Sequence, residues 1–309
     1  MPISSSSNLI ASIMDSSVLS KEFVWPMPDR LACHTAKTVQ KIHNDELAVH
    51  KWVPAEPRFV VLYVHGLQSH AGWSWELAMD VAARGGEFHV LDRFGSGISS
   101  GPHDAFPDPQ RTISDYLDFM TASVEASPGL PIIAVGHCLG GSVLTATLAQ
   151  HPELAARIDA VCIVSSWLAR MHDNLAPFEL RSVREDISGE IWDVGLRPED
   201  FSGNASYQEF IRTDPLAVRG IQRSTRKHML ALEDIYIGDD VVIRTPSKFI
   251  ASFEDPLLDI PRAVSRFQQT YNSSGSVHLL ASDKHYLPFT SARTGLVDQI
   301  VVESAGKGF

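Results

Sequence analysis

The chain has 309 residues, a formal net charge of −11, and 44% apolar against 20% charged residues. This balance predicts one large globular domain, or one domain with an insertion, and excludes a disordered chain, a collagen and a coiled coil. No run of lysines and arginines offers a basic surface, so nucleic acids and anionic membranes are poor partners.

Residues 1–20 are rich in serine and predict a flexible N-terminal arm. The arm lacks the basic start of a secretory signal, and Asp15 interrupts its apolar content. Cys33, Cys138 and Cys162 are odd in number and widely spaced, as expected for a reduced protein. No stretch approaches 18 uninterrupted apolar residues, so we expect no membrane span and a cytoplasmic location.

Two alternating segments come next, near residues 32–40 and 46–53, and predict an antiparallel pair joined by a turn. Six apolar runs then predict buried strands, at residues 59–64, 88–91, 131–135, 161–164, 248–253 and 277–281. Helical patterns lie between them, at residues 75–84, 113–126, 141–150 and 261–271. This alternation predicts a mostly parallel central sheet with helices on both faces.

The interval between the fourth and fifth buried runs breaks this alternation. It holds about 80 residues of mainly helical pattern, which is too long for a crossover and too apolar for a linker. The predicted domains are an α/β core of residues 21–167 with 245–309 and a helical lid, or cap, of residues 168–244. We expect Met171, Phe178 and Trp192 to face the site. The alternative is a second packing subdomain with no role there.

The strongest local motif is Gly136-His137-Cys138-Leu139-Gly140, which lies between a predicted strand and a predicted helix. Gly-x-nucleophile-x-Gly at such a junction is typical of a nucleophile elbow, in which a strained turn lifts the central side chain above the sheet. A helix N-terminus and a nearby histidine would favour the reactive thiolate of Cys138. We therefore predict that Cys138 is a nucleophile; the alternative is a buried structural cysteine.

A second motif, His65-Gly66-Leu67-Gln68-Ser69-His70, follows the first buried run. Acyl transfer needs N–H donors for a developing oxyanion, one from this loop and one from the residue after the nucleophile. We assign these donors to the backbone N–H groups of Leu67 and Leu139. The side chains assigned to substrate binding are His65, His137 and Trp192. We expect His65 mainly to brace its loop by hydrogen bonding.

Catalytic triads on this architecture follow the chain order nucleophile, acid, histidine. Asp255 follows the fifth buried run, and His285 follows the sixth. Both lie just past the carboxyl ends of predicted strands, where ligands bind in open parallel sheets. We predict that Asp255 is the acid and His285 the base, with Glu254 and Asp259 as alternatives for the acid.

Together these motifs resemble the α/β-hydrolase superfamily and, within it, the monoacylglycerol lipase and lysophospholipase-like branch. The similarity covers roughly residues 40–300. Beside the oxyanion loop and the elbow, it includes the turn Asp92-Arg93-Phe94-Gly95-Ser96-Gly97 and two lid segments at residues 197–201 and 214–216. The resemblance implies the α/β-hydrolase fold.

The chain departs from that branch at Cys138, where its lipases carry serine. A cysteine nucleophile implies a thioester intermediate and weaker attack on unactivated esters. Residues 252–254, Ser-Phe-Glu, also replace the glycine-containing turn that usually precedes the acid. Cysteine triads on this fold resemble those of certain thioesterases, dienelactone hydrolases and polyketide-tailoring enzymes, and the sequence does not choose among these.

The predicted function is acyl transfer of the esterase or thioesterase type, through a Cys-His-Asp triad, on a small-molecule ester or thioester with an apolar acyl chain. One alternative is a lyase or cyclase of polyketide-type biosynthesis that uses the same triad. Another is an inactive binding protein. No metal-ligand cluster, phosphate loop or dinucleotide motif is present, so we expect no cofactor and no metal. A carrier protein is a candidate transient partner, and the oligomeric state stays open.

Overall fold

The structure is a computed structural model that describes residues 35–42, 45–238, 240–271 and 275–301. The predicted arm and Cys33 lie outside the described residues. The strands are β1 (Thr35–Ile42), β2 (Asp45–Trp52), β3 (Phe59–Val64), β4 (Gly86–Leu91), β5 (Ile132–His137), β6 (Ala160–Val164), β7 (Ile191–Asp193), β8 (Gly220–Gln222), β9 (Ser247–Ser252) and β10 (Ser276–Leu280).

Within the described ranges, eight strands form one sheet in the order β1-β2-β4-β3-β5-β6-β9-β10. The strands from β4 to β10 in this order are parallel to one another. β2 pairs antiparallel with β4, and β1 pairs antiparallel with β2. The predicted parallel sheet and antiparallel pair are confirmed. The turn between β1 and β2 falls on residues 43 and 44, outside the described residues.

Burial of β3 explains why its sequence is apolar throughout. All six of its residues are buried. Val60, Leu62 and Val64 join one apolar cluster, whereas Phe59, Val61 and Tyr63 join another. Because successive side chains point to opposite faces of a sheet, the two clusters lie on its two sides. The core therefore holds β3 rigidly beneath the loop that follows it.

Helices cover both faces of this sheet. In the described part of the chain they are α1 (Trp75–Ala83), α2 (Pro109–Ala126), α3 (Leu139–Gln150), α4 (Pro152–Ala155), α5 (Arg170–Asn174), α6 (Pro177–Glu185), α7 (Pro198–Phe201), α8 (Ala205–Thr213), α9 (Arg226–Tyr236), α10 (Ile260–Thr270) and α11 (Arg293–Val301). The four predicted core helices are present. α2 begins earlier than its apolar pattern predicts because the Asp108 carboxylate caps it, accepting from the N–H groups of Gln110 and Arg111.

Residues 165–246, between β6 and β9, form what we call the insertion. It contains α5 to α9 and a small antiparallel sheet of β7 and β8. The helices agree with the predicted helical pattern. The small sheet was not predicted, because strands of three residues are too short to show a period.

A buried polar cluster joins the insertion to the loop after β3. The Asp214 carboxylate lies 2.9 Å from His70 Nε2 and accepts from the Trp73 indole N–H at 2.6 Å. Burial alone would lower the pKa of His70, but the Asp214 carboxylate raises it above its ordinary value. The Val218 N–H also donates to the Gln68 carbonyl at 3.0 Å. The insertion is therefore tied to the site by charge and by backbone hydrogen bonding.

None of the helices in the described ranges combines the length and the hydropathy needed to cross a membrane.

Candidate active site

Cys138 alone separates β5 from α3, and it makes the sharp turn between them. Its φ is 53° and its ψ is −126°, a conformation that costs a non-glycine residue on the order of 1–3 kcal/mol. The flanking glycines make the turn possible. A Cβ on Gly136 would lie 2.7 Å from the Gly140 carbonyl oxygen, and a Cβ on Gly140 would overlap the Val64 carbonyl. The turn places the sulfur at the positive end of the α3 dipole.

The loop after β3 lies directly against this turn. A Cβ on Gly66 would lie 3.1 Å from Cys138 Cβ and 3.6 Å from its Sγ. The Leu139 N–H helps to lower the pKa of the Cys138 thiol. Leu67 borders the same cavity as Cys138, and nothing in the described ranges accepts a hydrogen bond from its N–H. Both residues assigned to an oxyanion therefore line the cavity that Cys138 borders, and the role of their N–H groups stays a prediction.

His65 is buried beneath this loop. Its Nδ1 lies 2.9 Å from the Gly66 carbonyl oxygen, and its Nε2 accepts from the Arg93 N–H at 3.1 Å. Burial, reinforced by the Arg93 charge, lowers the pKa of His65 to about 3. The ring is therefore neutral, with its proton on Nδ1 donated to Gly66. This is the bracing role that the sequence predicts.

Arg93 is a residue of this site that the sequence did not single out. Its guanidinium is buried and donates to the carbonyl oxygens of Gly66 and Leu67, each at 3.3 Å. It also lies 5.1 Å above the Phe106 ring. Two contacts with consecutive carbonyls fix the orientation of the peptide that carries the Leu67 N–H. The Asp92-Arg93 turn was visible in the sequence, but the contact of the Arg93 side chain with the loop after β3 was not.

Asp255 and His285 meet at the carboxyl edge of the sheet, past the ends of β9 and β10. Both Asp255 oxygens lie 3.0 Å from His285 Nδ1. His285 is only 1% exposed. This contact places the ring proton on Nδ1, so Nε2 is left to face the cavity that Cys138 borders. Nε2 is buried and has no hydrogen-bond partner of acceptable geometry among the described residues.

The charges at Cys138 and His285 stabilise each other. Burial alone would raise the pKa of the Cys138 thiol, but His285, the Leu139 N–H and Arg170 together lower it below its ordinary value. Burial alone would lower the pKa of His285, but Asp255 and the Cys138 sulfur hold it well above its ordinary value. These directions favour a thiolate beside an imidazolium.

The two alternative acids take other positions. The Asp259 carboxylate accepts from the Arg262 N–H and so caps α10. Glu254 is exposed to solvent. Asp255 is therefore the carboxylate of this segment that contacts His285.

His137 does not border the cavity, and neither does His65. The His137 ring is buried, stacked at 6.4 Å from the Tyr63 ring, and edge-on to Tyr286 at 4.9 Å. Burial, followed by the charge of His285, lowers its pKa to about 3. Both histidines are enclosed by the sheet and its loops and support the site from behind, and their assignment to substrate binding stays a prediction.

The cavity above Cys138 has a volume of about 440 Å³. The core side contributes Leu67, Cys138, Leu139 and His285, among others. The insertion contributes mostly apolar and aromatic residues, including Met171, Trp192 and Met229. Two of the three lid side chains expected at the site, Met171 and Trp192, line it. Phe178 was wrongly predicted: it is 68% exposed, because the outer side of α6 carries it.

Fold and site geometry together are those of the α/β-hydrolase class. The chain belongs to the hydrolase family described as serine aminopeptidase S33, whose model matches residues 55–289, about three quarters of the chain. Within that class it is similar to monoacylglycerol lipases, although its elbow carries cysteine.

Two relatives document this similarity in sequence. The monoacylglycerol lipase of Mycolicibacterium smegmatis is 30% identical over 128 residues, which are 41% of this chain and 44% of the lipase. The monoglyceride lipase homolog of Monkeypox virus is 25% identical over 254 residues, 80% of this chain and 88% of the viral protein. This chain thus spans less than half of the mycobacterial relative.

Solved structures agree on the fold. Monoglyceride lipase of Saccharomyces cerevisiae matches with a TM-score of 0.76 at 14% identity, covering 91% of this chain and 99% of the lipase. A thioesterase domain of the curacin biosynthetic pathway matches with a TM-score of 0.61 at 16% identity, covering 87% of this chain and 99% of the thioesterase domain. The predicted α/β-hydrolase fold is confirmed.

Proposed function

We propose that this protein is an acyl-transfer enzyme of the esterase or thioesterase type with Cys138 as its nucleophile. The observation that supports this best is one arrangement: a thiol on a strained turn, beside an imidazole whose Nδ1 is held 3.0 Å from both oxygens of a buried carboxylate. Cys138, His285 and Asp255 then form the catalytic triad.

In the first half of the reaction, the Cys138 thiolate attacks the acyl carbonyl carbon. A C–S bond forms, and the carbonyl π electrons move to oxygen, where the N–H groups of Leu67 and Leu139 stabilise the charge. The intermediate then collapses. The bond to the leaving group breaks, and His285 Nε2 gives its proton to the leaving oxygen or sulfur.

In the second half, a water molecule or another acceptor approaches the thioester. His285 Nε2 accepts the acceptor's proton, the new bond to the carbonyl carbon forms, and Cys138 leaves as a thiolate. Asp255 keeps the other ring proton on Nδ1 throughout, so the transferred proton always moves through Nε2.

The cavity supports a substrate with an apolar acyl chain. Met171 and Trp192 of the insertion, with Leu139 of the core, offer it apolar surface. We assign residues 168–244 the role of a lid over this chain. The names of the relatives favour an ester, whereas the cysteine and the structurally similar thioesterase domain favour a thioester. A thioester on a carrier protein would make that protein a transient partner.

A second reaction is available to the same residues. His285 Nε2 is buried without a hydrogen-bond partner among the described residues. It would act as the base of an elimination or a ring closure once its proton has passed to the Cys138 thiolate. Cys138 would then hold the acyl group or position the substrate.

Intact-protein mass spectrometry after incubation with matched acyl thioesters and esters tests the proposal. We expect an acyl adduct on the wild-type protein and on Cys162→Ala, a control that removes the buried cysteine of β6. Cys138→Ala should lose the adduct and nearly all turnover.

Other outcomes contradict the proposal in distinct ways. Turnover that survives in Cys138→Ala but not in His285→Ala indicates the lyase or cyclase reaction. A folded wild-type protein that neither acylates nor turns over any substrate of the series indicates a binding protein.

A further inference from the structure

The insertion brings two arginines, Arg170 and Arg226, to the cavity that contains Cys138. The Arg170 guanidinium carbon lies 5.9 Å from the Trp167 ring centre, and that of Arg226 lies 4.6 Å from the Trp192 ring centre. Aromatic faces orient a guanidinium without neutralising its charge. In the described part of the chain, neither arginine has a carboxylate within ion-pair distance, unlike Arg184 at 2.6 Å from Asp234.

The carboxylate that borders this cavity does not neutralise them. Among the described lining residues, Glu233 is the acidic one. Its oxygens accept from the N–H groups of Met171 and His172 at 3.0 and 3.1 Å, and one lies 2.7 Å from His172 Nδ1. The Glu233 oxygens are therefore engaged by hydrogen bonds from α5. With two arginines and one glutamate, the insertion side of the cavity keeps a net positive charge.

Two buried hydrogen-bonding groups at this cavity lack partners. Arg226 Nε is buried with no hydrogen-bond acceptor in the described ranges, and so is the hydroxyl of Ser165, a residue with no exposed surface. Asp186, the carboxylate that attracts Arg226, instead contacts Arg223 at 3.4 Å. Buried donors are normally satisfied by protein, water or ligand, and both residues line the cavity, so each leaves a donor for an acceptor that enters it.

We propose that the substrate of this site carries an anionic group, which Arg226 binds while the acyl carbonyl lies at Cys138. This inference rests on the proposed function and names its substrate class. The anion is either a carboxylate on the acyl chain or a phosphate on the thiol that carries it. The planar guanidinium suits both, because its N–H groups pair with two oxygens of either anion.

Arg226 is the better residue to test, since the Arg170 charge also lowers the pKa of Cys138. The first arm compares N-acetylcysteamine thioesters of monocarboxylic acids with ω-carboxyacyl thioesters of equal carbon number. The second arm compares coenzyme A with N-acetylcysteamine thioesters of one acyl group. The readout in each arm is the ratio of kcat/KM for the anionic to the neutral substrate.

For the wild-type protein we expect this ratio to be about ten or more in one arm, which identifies the source of the anion. Arg226→Gln should bring it to about one, and Arg226→Lys should leave an intermediate value. Arg181→Gln, which changes an exposed arginine of α6, is the control and should keep the wild-type ratio.

Wild-type ratios near one in both arms, a measurement that needs no variant, would overturn the proposal. A high ratio that persists in Arg226→Gln would overturn it as well. Acylation of Cys138 by the neutral thioester distinguishes failure of the anion proposal from failure of the proposed function. The adduct forms if only the anion proposal fails, and it is absent if the proposed function fails.

Discussion

The two walls of the cavity are built by different means. On the core wall, Cys138 and Leu67 lie just past strands whose parallel hydrogen bonds hold the backbone. On the insertion wall, α5 and α9 are joined by side chains, as in the contact of His172 with Glu233 at 2.7 Å. Outside the cavity, the half-exposed ion pair Arg184–Asp234 connects α9 to α6.

This difference separates chemistry from recognition. Reacting groups need positions that do not change with the substrate, and a backbone ladder supplies them. Recognition needs surfaces that can vary, and side chains on short helices supply those. Changes to the core wall should therefore lower turnover of every substrate, whereas changes to the insertion should alter preference or stability.

The largest effect is expected for Cys138→Ser, which keeps the turn and changes only the nucleophile. Serine depends wholly on His285 for activation, so turnover of thioesters should fall by about 10³-fold or more. Some hydrolysis of activated esters should appear, because the other groups resemble those of serine lipases. Parallel assays on matched esters and thioesters measure this, and equal losses on both would contradict the expected change in preference.

Asp255→Asn is expected to have the next largest effect, a loss of about 10²-fold or more in turnover that stays below the loss for Cys138→Ser. The Asp255 carboxylate raises the pKa of His285, so without it the imidazolium loses its proton at a lower pH. The pKa of Cys138 should then rise. The rate of alkylation by iodoacetamide, measured against pH, should shift to higher pH.

Asp259→Asn is the matched control for this prediction, since asparagine still caps α10. It should keep the wild-type pH profile. If Asp255→Asn also kept that profile, Asp255 would have no role in the charge state of the pair.

Arg93→Lys should lower kcat by about tenfold with little change in KM, less than the roughly 10²–10³-fold for an oxyanion donor itself. Lysine keeps the charge but cannot span the carbonyls of Gly66 and Leu67 as the guanidinium does. Steady-state kinetics measure the split between kcat and KM. Arg58→Lys, at an exposed arginine bonded to the Arg84 carbonyl, is the control. An unchanged kcat in a folded Arg93→Lys variant would contradict a role for Arg93 in orienting the Leu67 N–H.

The smallest effect concerns Asp214, which joins the two walls. Asp214→Asn should lower the free energy of unfolding by about 1–2 kcal/mol, because it weakens buried hydrogen bonds to His70 and Trp73. Asp214 raises the folded-state pKa of His70. The stabilisation from the charged pair is therefore fully present below the unfolded pKa of histidine, down to the range where Asp214 is protonated. It is lost as pH rises through the folded pKa.

Urea unfolding of both proteins at several pH values measures this difference. We expect the gap in free energy to be widest in mild acid and to narrow as the pH rises. Asp234→Asn breaks a half-exposed pair and should cost less than about 1 kcal/mol. A gap that stays constant with pH would mean that the charge of His70 does not contribute.

Much of the core wall was accessible from the sequence. The run at residues 59–64 predicted β3 with its observed bounds, because a strand buried on both faces must be apolar throughout. Parallel strands also bring their carboxyl ends to one edge, so the order of Cys138, Asp255 and His285 in the chain was enough to expect them together. These inferences need only local pattern and the geometry of a sheet.

The insertion wall required the tertiary structure. Met171, Phe178 and Trp192 looked alike in sequence, yet Phe178 points to solvent while the other two line the cavity. Which way a short helix turns depends on residues distant in the chain, such as Glu233 beneath α5, and no local period encodes that contact.

The same limit applied to the charges of the site. The sequence placed three acidic residues, Glu254, Asp255 and Asp259, in one segment. Only folding brought Asp255 to His285, whereas Asp259 caps the start of α10. Folding likewise turned Arg93 under the loop and left Arg226 with no described carboxylate at ion-pair distance. A strand pattern fixes where the backbone goes, but the partner of a charged side chain is decided by packing in three dimensions, where burial makes an unpaired charge costly.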